Sequence, residues 1–217
     1  MQWFQEVPTY CFYASYNAMS INIFQNYRFI LASQSPRRQQ LLREMGFEFE
    51  IRIRDVEEIY PVDLQKDDIA RYLCELKAEA FQAGELEKDQ ILITADTIVW
   101  HEGHVLGKPA DPDEALTMLR RLSGSMHEVY TGICLKSVSK QKSFTDKSEV
   151  YFKELSDKQL LYYIESCKPF DKAGSYGVQE WMGYVGVEKI VGSFYNVMGF
   201  PTHRFYDELE LFVTSMQ

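Results

Sequence analysis

Phe29-Ile30-Leu31-Ala32-Ser33-Gln34-Ser35-Pro36-Arg37-Arg38 is a short apolar run that stops at two serines, a proline and two arginines. An amphipathic run follows, Gln39-Gln40-Leu41-Leu42-Arg43-Glu44-Met45, closed by Gly46. The pattern predicts a buried strand over residues 28–32, a tight turn and a helix over residues 36–45. Ser35 is placed as the N-cap, Pro36 as the first helical residue and Gly46 as the stop. A helix N-terminus presents unpaired N–H groups and partial positive charge, so it attracts anions. Arg37 and Arg38 add planar donor forks suited to phosphate oxygens. Ser33 and Ser35 have no histidine and acid at a recognisable spacing, and they read as phosphate donors or caps rather than nucleophiles. The stretch thus predicts a phosphate-sized anion site at a strand end. Its plainer reading is an ordinary capped helix with solvated arginines.

Outward from this turn, Phe47-Glu48-Phe49-Glu50-Ile51 alternates apolar and charged residues, as a half-exposed strand does. Ile69, Leu73, Leu76 and Ala80 recur at helical spacing and predict a helix near residues 66–83. Ile91-Leu92-Ile93-Thr94 reads as a strand buried on both faces, with Asp96 just where it ends. His101-Glu102-Gly103-His104 reads as a hairpin turn, and its two histidines are one residue short of a zinc-binding HExxH. Asp111-Pro112 opens a capped helix that Ser123-Gly124 ends. Residues 127–138 and 143–154 read as two long antiparallel strands, and Ser156-Asp157-Lys158-Gln159 as a capping box. A glycine-rich stretch of turns and short strands and a last helix from Pro201 complete the chain. Such an order predicts an α/β protein with an elongated mixed sheet. Ligands of open α/β sheets bind beyond strand ends, where both Ser33–Arg38 and Asp96 are expected.

A length of 217 residues suits one domain or two small lobes, and 46% hydrophobic with 25% charged residues is ordinary for a globular chain. The net charge of −9 argues against a nucleic-acid polymer as partner, because that needs a basic face. It leaves room for a small anionic substrate held by local positive potential. Cys11, Cys74, Cys134 and Cys167 lack CxxC spacing and read as reduced thiols. No apolar run is long enough to span a membrane, so no membrane partner is expected and the cytoplasm is the default location. Residues 1–26 contain no Lys or Arg and are taken as an N-terminal extension outside the core, leaving 27–217 as a single α/β domain.

Among individual residues, Asp96 stands out. A carboxylate after an apolar strand is a general base, a metal ligand or a helix cap, and no helix-like segment follows it. Glu57 and Glu58 are adjacent, so on a strand only one would face a cleft; either is otherwise a surface charge. Lys77 and Lys172 alone read as solvent-facing. Lys108, pinned between Gly107 and Pro109, is a near miss for a P-loop. Gln179 carries an amide whose donors and acceptor match the edge of uracil or thymine.

Ser33-Gln34-Ser35-Pro36-Arg37-Arg38, Val56-Glu57-Glu58, Leu76-Lys77-Ala78-Glu79-Ala80, Ile93-Thr94-Ala95-Asp96-Thr97-Ile98-Val99, Gly107-Lys108-Pro109 and Asp171-Lys172-Ala173-Gly174-Ser175-Tyr176-Gly177-Val178-Gln179, in that order, resemble the Maf family of nucleoside triphosphate pyrophosphatases. The resemblance runs from about Arg28 to the C-terminal helix. It implies an ITPase-like α/β/α arrangement with a cleft between two lobes, a homodimer, and a divalent cation, Mg²⁺ or Mn²⁺. It implies hydrolysis of a nucleoside triphosphate to the monophosphate and pyrophosphate, with Asp96 as proton acceptor and Glu58 as metal ligand or water-orienting group. Lys77, Lys108 and Lys172 would neutralise phosphate charge. Arg37, Thr97 and Gln179 correspond to specificity positions of the branch that cleaves dTTP and UTP. The alternatives within the resemblance are the branch acting on 7-methyl-GTP, against which Gln179 argues, and a non-catalytic regulator of septum formation. Glu180 stands where the family pattern has glycine, which would put a charge beside the base pocket.

Overall fold

The computed structural model describes residues 21–82 and 84–216. Its first unit is the predicted one: β1 (Arg28–Leu31), a turn, α1 (Pro36–Glu44) and β2 (Phe49–Ile51), with β2 parallel to β1. Ser35 caps α1 by accepting the Arg38 N–H at 3.5 Å, and Leu41 and Leu42 form its buried face. α2 (Asp67–Glu79) then crosses over to β3 (Gln90–His101), which lies parallel to β1 on its other side. β4 (His104–Leu106) returns antiparallel to β3 through the Glu102-Gly103 turn. α3 (Pro112–Leu122) is capped by Asp111, and β5 (Met126–Lys136) and β6 (Gln141–Phe152) form a long antiparallel pair. α4 (Asp157–Cys167) begins with the Ser156/Gln159 capping box. Two short helices, α5 (Trp181–Val185) and α6 (Phe194–Val197), flank β7 (Val187–Val191), and α7 (Thr202–Thr214) ends the fold.

The result is a mixed seven-stranded sheet in the order β2-β1-β3-β5-β6-β7, with β4 paired to β3. Side chains alternate between faces along β3. Ile91, Ile93 and Ala95 join a core with Leu41, Leu42, Phe205 and Phe212 from α1 and α7. Farther along the same face, Val99 joins a second core with Leu119 from α3 and Leu160 and Tyr163 from α4. Leu92 and Ile98 face the other way, under α2. Helices therefore cover both faces, and on one face they gather into two lobes with a gap between.

Four expectations change. The segments on either side of Asp96 are one continuous strand, because β5 pairs with it from Leu92 to Trp100 without a break. Residues 52–60 form no strand, so the alternation argument for Glu57 and Glu58 does not apply. The helix predicted near residues 66–83 ends at Glu79, and Ala83 lies outside the described residues. The core also begins before residue 27: Ile21–Phe24 is a short 3-10 helix, and the Phe24 ring packs on Phe29, Phe47 and Tyr206. The rest of the proposed extension, residues 1–20 with Cys11, lies outside the described residues.

Candidate active site

The gap between the lobes opens on an uncovered stretch of sheet edge. β3 is covered on one side by β1 up to Ile93 and again by β4 from Val99. Between these points no described strand pairs with that edge, and a cleft of about 740 Å³ forms there. All the site residues expected from the sequence line it: Ser33, Ser35, Arg37, Arg38, Glu58, Lys77, Asp96, Thr97, Lys108, Lys172 and Gln179.

On the α2 face, Asp96 is buried and its Oδ1 accepts a hydrogen bond from Lys77 Nζ. The same ammonium lies 2.8 Å from Glu58 Oε1. Lys77 is therefore no solvated lysine, for it joins two carboxylates from distant parts of the chain. Burial works against the Glu58 charge, but the hydrogen bond and charge of Lys77, with Lys108 and Arg38 farther out, hold its pKa below the ordinary value. α2 reaches this position by lying directly on β5 at Gly132, the residue paired with Asp96: a Cβ there would stand 2.2 Å from Ala70 O. The end of α2 is fixed by Lys136, whose Nζ donates to Ala78 O and Phe81 O at 2.9 Å each.

On the opposite face Arg38 takes the place of the missing strand. Its Nη1 donates to Ala95 O (2.8 Å) and Ser33 Oγ (3.3 Å), Nη2 to Thr97 Oγ1 (3.0 Å) and Nε to Gly199 O (2.9 Å). This leaves one N–H on Nη2 for anything else in the cleft. Burial pulls the guanidinium below its ordinary pKa, against the opposing charge of Asp96. Thr97 is further held by Thr131 Oγ1 at 3.0 Å.

Arg37 bridges the gap to Asp171 at 3.2 Å, and Asp171 accepts from Lys172 at 2.6 Å. Lys172 is also buried, not solvent-facing, and its second partner is Glu180 Oε1 at 3.0 Å. Glu180 does not line the cleft, in contrast to the expectation of a charge beside a base pocket. Lys108 remains exposed in the turn after β4. Among the described residues, the Gln179 Oε1 is buried at the cleft wall without a hydrogen-bond partner. Sequence reasoning gave no role to Asp171, although it adjoins Lys172 in the quoted motif. It also missed Tyr163, which carries no local signal beyond a helix core position.

The fold and site together define an α/β protein with a cationic cleft of nucleotide size that holds two carboxylates, the buried Asp96 and the more exposed Glu58, joined by Lys77. The family model for Maf-like proteins matches residues 28–212, and the chain belongs to this family. It is 49% identical over 189 residues to a "dTTP/UTP pyrophosphatase" of Flavobacterium johnsoniae, covering 87% of this chain and 97% of that one. It is 52% identical over 192 residues to a protein of the same name from Cytophaga hutchinsonii, covering 88% and 87%. Among solved structures, the Ham1 protein of Staphylococcus aureus aligns over 88% of this chain and all of its own, with a TM-score of 0.46 and 13% identity.

Proposed function

We propose that this protein is a metal-dependent nucleoside triphosphate pyrophosphatase that acts on dTTP and UTP. The observation that carries the reading is the pair Asp96 and Glu58, joined through Lys77 at the uncovered edge of β3 and close to the cationic start of α1. The relatives named dTTP/UTP pyrophosphatase, about half identical over most of both chains, support the substrate class. The family match spans every residue of the site.

In the reaction, the oxygen of water forms a bond to the α-phosphorus, and the bond from that phosphorus to the oxygen bridging to the β-phosphate breaks. Pyrophosphate leaves with the electron pair. Asp96 accepts the proton of the attacking water. Arg37, Lys108, Lys172 and the N-terminus of α1 balance the triphosphate charge, which is the main work of phosphoryl chemistry. Ser33 and Ser35 shape the turn that presents those donors. Arg38 acts chiefly by holding the open strand edge.

Hard divalent cations take oxygen ligands, often one or two carboxylates together with substrate phosphates. Asp96 and Glu58 fit that donor set, and among the described residues no group of three or more His, Cys, Asp and Glu could hold an ion by itself. The two carboxylates would thus hold Mg²⁺ or Mn²⁺ jointly with the substrate. When bound, the cation supplies charge neutralisation and polarises phosphate oxygens.

The Gln179 Oε1, without a partner among the described residues, supports pyrimidine recognition, because a base edge that pairs with the amide satisfies a buried polar group. Uracil and thymine offer a carbonyl and an N–H there, whereas cytosine offers an amino group and a bare ring nitrogen. The cytoplasm is the compartment and a homodimer the assembly in this reading. The free thiols Cys74, Cys134 and Cys167 agree with a reducing compartment.

The test is phosphate release in the presence of added inorganic pyrophosphatase, over dTTP, UTP, CTP, GTP and 7-methyl-GTP. The expected result is the highest kcat/KM for dTTP and UTP, loss of activity in EDTA and recovery with Mg²⁺ or Mn²⁺. Gln179→Ala should lower kcat/KM for dTTP and UTP more than for the others. A preference for a guanine nucleotide would overturn the substrate assignment. The absence of turnover on the whole panel would leave a non-catalytic regulator.

A further inference from the structure

Glu180 sits one residue beyond Gln179 and turns its carboxylate away from the cleft. Oε2 accepts the Tyr163 hydroxyl at 2.5 Å, and Oε1 lies 3.0 Å from Lys172 Nζ. The Tyr163 oxygen in turn accepts the Gly177 N–H at 2.9 Å. The Glu180 N–H donates to Gly177 O at 3.1 Å, closing the turn that carries Gln179. The turn is packed to fit: a Cβ on Gly177 would meet Glu180 Cδ at 2.7 Å. Tyr163 is fully buried, and the Lys172 side chain is 8% exposed.

A buried ammonium needs a fixed anionic partner, since its charge is otherwise costly to desolvate. Asp171, the other partner of Lys172, is more than half exposed and also engaged by Arg37. Glu180 is the better sheltered of the two, at 24% side-chain exposure. It also touches both functional groups of this wall, directly at Lys172 and through the Gly177 turn at Gln179.

We propose that Glu180, with Tyr163, is a positioning residue that locks the phosphate-facing Lys172 and the base-facing Gln179 into one rigid unit. The charge of Glu180 is thereby part of the specificity wall and not an intrusion into it. Base fit and phosphate charge balance are coupled through this carboxylate, so a misfitting base disturbs the position of Lys172 as well.

The inference rests on the reading of the cleft as a dTTP/UTP site, and the controls separate the two. Steady-state kinetics on dTTP and CTP would be run for the wild type, Gln179→Ala, Glu180→Gln, Glu180→Ala and Tyr163→Phe, with the fraction of folded enzyme measured for each. Glu180→Ala should raise KM for dTTP on the order of tenfold and narrow the dTTP/CTP ratio of kcat/KM by a similar factor. Glu180→Gln keeps the acceptor for Tyr163 but not the charge on Lys172. It should preserve most of the ratio while still raising KM. Tyr163→Phe should narrow the ratio with a smaller effect on KM. A merely structural role would lower the folded fraction and leave KM and the ratio of the folded enzyme unchanged, and that result overturns the proposal. If Glu180→Ala behaves as wild type while Gln179→Ala loses selectivity, only this inference falls. If the wild type itself shows no preference for dTTP, the substrate reading and this inference fall together.

Discussion

Lys77 holds two negative side chains with one ammonium, and the chemistry of the site depends on which of them takes the proton of water. Asp96 is the buried one of the pair and comes from the sheet, whereas Glu58 comes from an irregular segment and is nearly half exposed on its side chain. The sheltered group on the sheet suits a base that must be aligned, and the more exposed one suits a ligand shared with a cation. Asp96→Asn keeps shape and hydrogen bonding but cannot accept the proton. We expect kcat to fall about 10²–10⁴-fold, while Lys77 keeps its Glu58 partner and the melting temperature changes little. Rates at saturating metal, together with a melt, check this; a variant with most of its activity would show that the base lies elsewhere. At this scale the sequence was informative where side-chain types cluster locally, as in Ser33–Arg38, whose capped helix formed as read. It could not reveal that Lys77 is held between Glu58 and Asp96 or that Lys172 is buried against Glu180, because those partners lie in other segments of the chain. Nor could it reveal that Arg38 is engaged by the protein itself, since its acceptors include the backbone carbonyls of Ala95 and Gly199.

At the scale of elements, the site exists because β3 is longer than its neighbours on one side. The apolar run 91–94 and the run 97–100 each look like a strand, and Asp96 between them looks like a terminus. Strand pairing decides otherwise: β5 pairs with β3 without a break from Leu92 to Trp100, and the opposite edge is open at Asp96, between β1 and β4. That pairing is non-local, so no window around Asp96 contains it. α2 must lie close for Lys77 to reach the edge, and Gly132 permits this. Gly132→Ala places a Cβ 2.2 Å from Ala70 O and 2.9 Å from Arg71 N, so the helix has to move away from the sheet. Overpacking of this kind costs about 1–3 kcal/mol. We therefore expect a lower melting temperature, and a reduced kcat even at temperatures where the variant is fully folded. A variant with unchanged melting and kcat would mean that α2 can shift without disturbing Lys77.

At the scale of the molecule, the second lobe is tied to the sheet through His127. Its ring is 1% exposed, packs edge-on against Phe152 and Tyr176, and places Nε2 2.7 Å from the Tyr176 hydroxyl. Tyr176 begins the turn that leads to Gln179, so this contact links the core of β5 to the cleft wall. Burial, and secondarily the nearby His101, lowers the His127 pKa to about 3. An unfolded histidine titrates near 6.5. Between these values the unfolded chain binds a proton that the folded chain refuses, so stability rises with pH across the window. The contribution is complete above pH ~6.5 and is lost as pH falls, by about 2 kcal/mol on reaching pH 5. The carboxylates with lowered pKa, such as Glu58, Glu128 and Asp171, act in the same direction but only below the ordinary carboxylate range, at lower pH. The interval from pH 6.5 to 5 therefore lies above the carboxylate window, and comparison with a His127 variant assigns the change to this residue. His127→Gln retains a neutral hydrogen-bonding group without the titration. Urea unfolding of both proteins at pH 7.5, 6 and 5 should give a wild-type stability that declines over this range, with the decline reduced by about 2 kcal/mol in the variant. Equal slopes for the two proteins would mean that His127 takes up its proton in the folded state, and that the tie between the lobes survives its charging.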